Sequence, residues 1–229
     1  MKYFLLLFIL VFSQIGISQS NDKTDLYKNY REDQFYASVT YNLLNSKPDG
    51  LAQSGFSTGF HIGVIRDMPI NKDRDFAIGL GIGFSLNSYN QNLSIIEENK
   101  VIIFSILNED EINVSKNKFS TYLVEVPLEI RWRTSTASDY NFWRIYTGFK
   151  LGYMLHNSTK LKSSAGDVQL SNIDSFNKLQ YGLTLGAGYG TWNFHAYYGL
   201  NSIFNDDSKL NSETIDMNVI RLGLIFYIL

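Results

Sequence analysis

The chain contains no cysteine, which excludes a disulfide framework and a cysteine-borne lipid anchor. Histidine is scarce: His61, His156 and His195 lie in separate segments, with no metal-ligand spacing around them. Past Phe12 no apolar run approaches the ~20 residues that a membrane-spanning helix needs, and no helical periodicity is evident. A glycine-rich phosphate loop opening a helix is therefore also missing. Charged residues make up only 18% of the chain and the net charge is −2, which gives no electrostatic case for nucleic acid as a partner. No cofactor signature is present, and the poverty of catalytic patterns argues against an enzyme.

Alternation is what the chain has in abundance. From about residue 35 onward, apolar side chains alternate with small or polar ones in roughly eight runs, the period of an extended strand. The final run is the clearest. Ile220, Leu222, Leu224, Phe226 and Ile228 share one face, while Arg221, Gly223, Ile225 and Tyr227 share the other. Residues 1–18 read as an export signal: Lys2 gives a positive start, Tyr3 to Phe12 an apolar core, and Gly16 and Ser18 small residues before cleavage. Residues 19–34 read as a polar periplasmic lead, and 35–229 as the folded domain. Export combined with period-two strands predicts an all-β fold, an eight-stranded antiparallel up-and-down transmembrane barrel. A closed barrel pairs every backbone polar group, as lipid requires. Outer-membrane lipid and the barrel-assembly machinery are then expected partners.

The runs are placed at Phe35–Leu43, Gly55–Ile65, Phe76–Tyr89, Phe119–Arg133, Phe142–Leu155, Leu179–Gly190, Phe194–Ile203 and a last one ending at Leu229. With the N-terminus periplasmic, the connections at the outer side are the longer ones on average, as in outer-membrane barrels, and the C-terminus returns to the periplasm. Val101–Leu107 reads either as a hairpin arm above the membrane or as an additional wall strand. Trp132, Trp143 and Trp192 fall at one rim of this arrangement, the periplasmic one, where interfacial aromatics belong. A soluble ligand-binding barrel would have the inverse pattern, apolar inside and polar outside. Here the inner face would carry Glu125, Glu129, Arg131, Arg144, Lys150 and Arg221, which cannot line an apolar cup.

Those six residues form the main polar constellation. If the turn after the fourth run pairs Arg133 with Phe142, Glu125 faces Lys150, Glu129 faces Tyr146 and Arg131 faces Arg144, within the ~5 Å of cross-strand neighbours. The set reads as a self-compensating ion network filling the lumen, because buried charges require partners; a transport or catalytic role is the alternative. Gly79, Gly81, Gly83, Gly182, Gly186 and Gly188 face inward and leave room for the long side chains of the fourth and fifth runs. Pro127 cannot donate to a ladder, which predicts a bulge or a docking point there.

The ending Arg221-Leu-Gly223-Leu-Ile-Phe226-Tyr-Ile228 resembles the insertion signal read by the outer-membrane assembly machinery. The segment Tyr122-Leu-Val-Glu125-Val-Pro127-Leu-Glu129-Ile-Arg131-Trp-Arg133, followed by Trp143-Arg-Ile-Tyr-Thr-Gly148-Phe-Lys150-Leu-Gly152-Tyr153, resembles a hairpin of Bacteroidetes outer-membrane barrels. More narrowly, Glu129 to Thr136 is similar to the PorT (SprT) group. The resemblance implies a non-enzymatic part in type IX protein secretion or gliding motility, with other secretion-system proteins as partners. A general structural or adhesive surface barrel and a narrow solute channel are the rival readings.

Overall fold

The structure, a computed structural model, describes residues 32–108, 113–134 and 143–228. The expected export signal, nearly all of the expected lead, and most of the turn after Arg133 lie outside these residues. Alternation becomes strand almost everywhere it occurs. The strands are β1 (Glu32–Asn45), β2 (Thr58–Pro69), β3 (Phe76–Asn90), β4 (Leu93–Glu98), β5 (Val101–Ile106), β6 (Val114–Arg133), β7 (Trp143–Ser163), β8 (Gly166–Ser171), β9 (Leu179–Tyr189), β10 (Trp192–Gly199), β11 (Lys209–Leu210), β12 (Glu213–Thr214) and β13 (Asn218–Ile228).

Eight of them, β1, β2, β3, β6, β7, β9, β10 and β13, form a ring of antiparallel neighbours. Chain order is ring order. The seam is β1 against β13, with Phe35 opposite Ile228 and Asn45 opposite Asn218. No edge remains in the wall, so every wall strand pairs on both sides. The outward residues are large and apolar and lie open: Phe194 is 75% exposed, Ile62 61% and Ile130 59%. A soluble monomer rarely presents so continuous an apolar surface; lipid is the solvent that suits it.

The connections follow the expected asymmetry, with corrections at several boundaries. The β9–β10 turn is Gly190–Thr191, whereas residues 200–217 join β10 to β13 at the other end. Val101–Leu107 is not a wall strand: β4 and β5 make a two-stranded hairpin of their own. The connection expected at His156–Lys178 is largely strand, because β7 runs on to Ser163 and pairs with β8. The β6–β7 arms, 20 and 21 residues long, far exceed the ~9–11 residues that cross a bilayer.

A bulge divides these arms. Tyr122 pairs with His156 but Leu123 with Met154, so Leu155 is the extra residue. Below it, the odd-numbered residues of β7 face outward; above it the even-numbered ones do. Pro127, by contrast, sits in unbroken register with Lys150. On its other side the pairs step from Leu80–Leu128 to Gly83–Glu125 at constant register. The expected bulge is thus replaced by a short gap in the β3–β6 ladder, where the missing N–H faces Gly81 and does not displace the strand.

Candidate functional site

Inward-facing positions of the wall strands hold the polar residues, in two layers. In the first, Glu125 receives Arg221 Nη1 at 2.6 Å, with Lys150 Nζ at 3.4 Å and His61 Nδ1 at 3.6 Å. The Tyr197 ring closes this layer, 4.3 Å from the Arg221 guanidinium carbon. In the second, Arg131 donates to Asp67 at 2.9 Å, Glu129 at 2.9 Å, Gln34 at 3.2 Å and the Tyr227 hydroxyl at 2.7 Å. Arg133 adds Asp67 at 3.5 Å and the Arg74 carbonyl at 3.2 Å, and Arg144 lies 4.6 Å over the Tyr227 ring.

Among the described residues, the buried set contains five cations (Arg131, Arg133, Arg144, Lys150, Arg221) and three carboxylates (Asp67, Glu125, Glu129). Tyrosine rings take up part of the difference. Their negative faces meet guanidinium groups from Arg131, Arg144 and Arg221, an interaction that strengthens away from water. Space for the rings comes from inward glycines. A Cβ at Gly83 would strike the Tyr36 hydroxyl, and one at Gly186 the Tyr146 ring. The room therefore serves Tyr36 of β1 and Tyr197 of β10 as well as the long side chains of β6 and β7.

All six residues singled out from the sequence lie in the lumen, but their pairing differs from the expected one. Arg133 faces Arg144 instead of Phe142, so the β6–β7 register is displaced by two. Glu125 then faces Gly152 and Glu129 faces Gly148, each long acid opposite a residue without a side chain. A shift of two keeps every residue on its face, which is why Lys150 still reaches Glu125 diagonally. Arg131 faces Tyr146, and both it and Arg144 lie over the Tyr227 ring. Asp67 is the carboxylate that sequence reading missed. It fell in an expected turn, although Ile65 and Asp67 continue the inward parity of β2.

Above the ions, apolar side chains seal the barrel. Phe104 of β5, Phe119 of β6, Phe176 and Phe204 form a cluster with centroid separations of 4.6–5.8 Å. Leu44, Leu93, Ile95, Ile215 and Met217 pack around it. The connections at this end thus fold inward as a lid. Between the lid and the ions remains a cavity of about 10 Å³, beside Tyr89, Leu123 and Arg221, room for about one water.

The other singled-out residues occupy the wall. Trp132 is the penultimate residue of β6, Trp143 opens β7 and Trp192 opens β10, all at the short-turn end; Trp143 packs on Tyr189 at 5.5 Å and Trp192 on Phe226 at 4.6 Å. In β13, Arg221 belongs to the ion layer, Phe226 and Ile228 lie on the outward face, and a Cβ on Gly223 would run into the Val39 carbonyl of β1.

The family comparison agrees with this architecture. The family model described as "Outer membrane protein beta-barrel domain" matches residues 12–205. No curated protein matches the chain. Among solved structures, Ail, the attachment invasion locus protein of Yersinia pestis, is 16% identical, with 86% of this chain and 99% of that one covered and a TM-score of 0.32. A porin mutant of Rh. blastica is 7% identical over 87% of this chain and 100% of that one, with a TM-score of 0.15. A ring without edges, an outward apolar band, a charged and filled interior and a family match over most of the sequence converge: the chain belongs to the outer-membrane β-barrel domain family.

Proposed function

We propose that this barrel is a non-enzymatic component of the type IX secretion or gliding machinery, with both termini in the periplasm and the long connections outside the cell. The sealed lumen carries this reading most directly. Among the described residues, paired ions fill the interior and Phe104, Phe119, Phe176 and Phe204 cap one end of it, which favours work done by the surfaces at the two ends over passage of a solute. The resemblance of the Tyr122–Arg133 and Trp143–Tyr153 hairpin to the PorT group supplies the particular machinery. The β7–β8 hairpin continues the wall beyond the apolar band, which favours a general surface-contact or adhesive role as the second reading.

Deletion of the gene in the native bacterium, followed by proteomics of the culture fluid and the periplasm, tests the proposal. Cargo bearing type IX export signals is expected to accumulate in the periplasm and to be released again on complementation. An unchanged secretome, with the barrel present in the parent's outer membrane, overturns it. Purified barrel in a planar bilayer is expected to stay silent where a control porin conducts; stepwise conductance would restore the channel reading.

A further inference from the structure

Immediately above the apolar band, the outer surface of β3, β6, β7 and β8 changes character row by row. The lowest row is Leu86, Tyr122 and His156, paired in register. The next is Ser88, Ser120, Ser158 and Ser171, a line of hydroxyls across all four strands. Then come Lys118 and Lys160, opposite one another with Asn90 and Gln169 at their flanks. Lys116 faces Lys162 at the top. The bulge at Leu155 is what turns Lys160 and Lys162 outward and so completes the rows.

Lysines placed directly opposite one another repel and weaken a sheet. Among the described residues, Asp167 stands 3.8 Å from Lys162, and no carboxylate is ion-paired with Lys116, Lys118 or Lys160. The pattern therefore costs stability in the isolated chain, and an anion held from outside would offset that cost. Beside these rows runs a groove of about 430 Å³, with Phe60, Leu86 and Tyr122 below, Ser120 midway and Lys116 and Lys118 above. Its lower part is apolar and its upper part cationic.

We propose that this face binds a phosphorylated, multiply acylated glycolipid of the outer leaflet, its phosphates on Lys116, Lys118 and Lys160 and its acyl chains along Phe60, Leu86 and Tyr122. Apolar, hydroxyl and cationic rows follow one another in the order in which such a lipid presents acyl chain, sugar and phosphate. The proposal rests on the orientation given above, with the long connections outside.

The test uses the full-length barrel in detergent and native mass spectrometry with three probes: bisphosphorylated lipid A, lipid A stripped of both phosphates, and inorganic pyrophosphate. Lipid A is expected to bind. The Lys116→Gln/Lys118→Gln/Lys160→Gln variant, checked for folding by heat-modifiable gel mobility, should bind it about a hundredfold more weakly, at roughly a factor of five for each lysine near a membrane surface. A Lys47→Gln/Lys100→Gln/Lys209→Gln variant loses the same charge from the connections and should bind normally. Equal binding by the first variant and the parent, or equal binding of dephosphorylated lipid A, overturns the site. Pyrophosphate binding as tightly as lipid A identifies a soluble polyanion as the ligand and overturns it likewise. Protease treatment of intact cells reads orientation separately. Cleavage at the Ser164–Ala165 tip only after lysis overturns both the orientation and the outer-leaflet lipid, whereas cleavage in intact cells without the lipid difference overturns the lipid site alone.

Discussion

Glu125 is the residue on which the upper ion layer depends. It is buried, and Arg221, Lys150 and His61 all converge on its carboxylate. Removing one partner of a buried pair leaves the others charged and desolvated, a loss of about 3–5 kcal/mol. Glu125→Gln is therefore expected to lower the denaturant midpoint of the folded band on unheated gels markedly. Lys150→Gln, which leaves Glu125 with Arg221, should lower it much less. Equal effects would mean that the layer is not centred on Glu125. Gly83 shows the steric counterpart. A methyl group there collides with the Tyr36 hydroxyl and with the Ile62 carbonyl of β2. Because backbone cannot step aside as a long side chain does, Gly83→Ala is expected to destabilise the barrel by about 1–3 kcal/mol, read in the same assay.

At the scale of the strand, face assignment was legible from the sequence and strand length was not. Parity alone places Glu125, Glu129 and Arg131 inside and Val126, Leu128 and Ile130 outside, because one solvent lies on each side of the wall. Above the membrane that contrast disappears. Lys116, Lys118, Lys160 and Lys162 lie outward among serines and asparagines, so period two no longer separates apolar from polar and the upper arms read as connection. The two-residue register offset has a similar origin: either register puts the same charges on the same face, and the choice rests on which residues stand opposite glycine. The lid was illegible for another reason. Phe104, Phe176 and Phe204 lie in separate connections, and only closure of the ring brings them together. The bulge gives this scale its own prediction. Leu155 is the residue that the bulge absorbs, so deleting it leaves one unbroken alternation along β7, with Lys160 and Lys162 still outward and Leu161 still toward the lid. Limited proteolysis should then leave the β7–β8 hairpin as resistant as in the parent, and the barrel should keep its heat-modifiable mobility. Rapid cutting of the hairpin would show that the upper arm needs the bulge itself and not only the facing that it sets.

For the whole molecule, the outward band decides where the protein is stable. Leu185, 59% exposed in the middle of β9, faces lipid if the barrel spans the membrane. Leu185→Arg is expected to cost about 2–4 kcal/mol in bilayers and little in a soluble setting, so folding titrations in vesicles check the immersion itself. The seam has a further consequence, for the order of events during biogenesis. The first strand cannot find its second neighbour until the last has been made, since Phe35 and Ile228 are partners across nearly the whole folded chain. The same docking delivers Arg221 to Glu125. Until that moment the nascent wall has two raw edges and an acid without its guanidinium, so every incomplete intermediate is both adhesive and electrostatically unsatisfied. Such a chain gains little by inserting piecemeal. Closure waits on the final strand, which makes arrival of β13 the committing step of assembly.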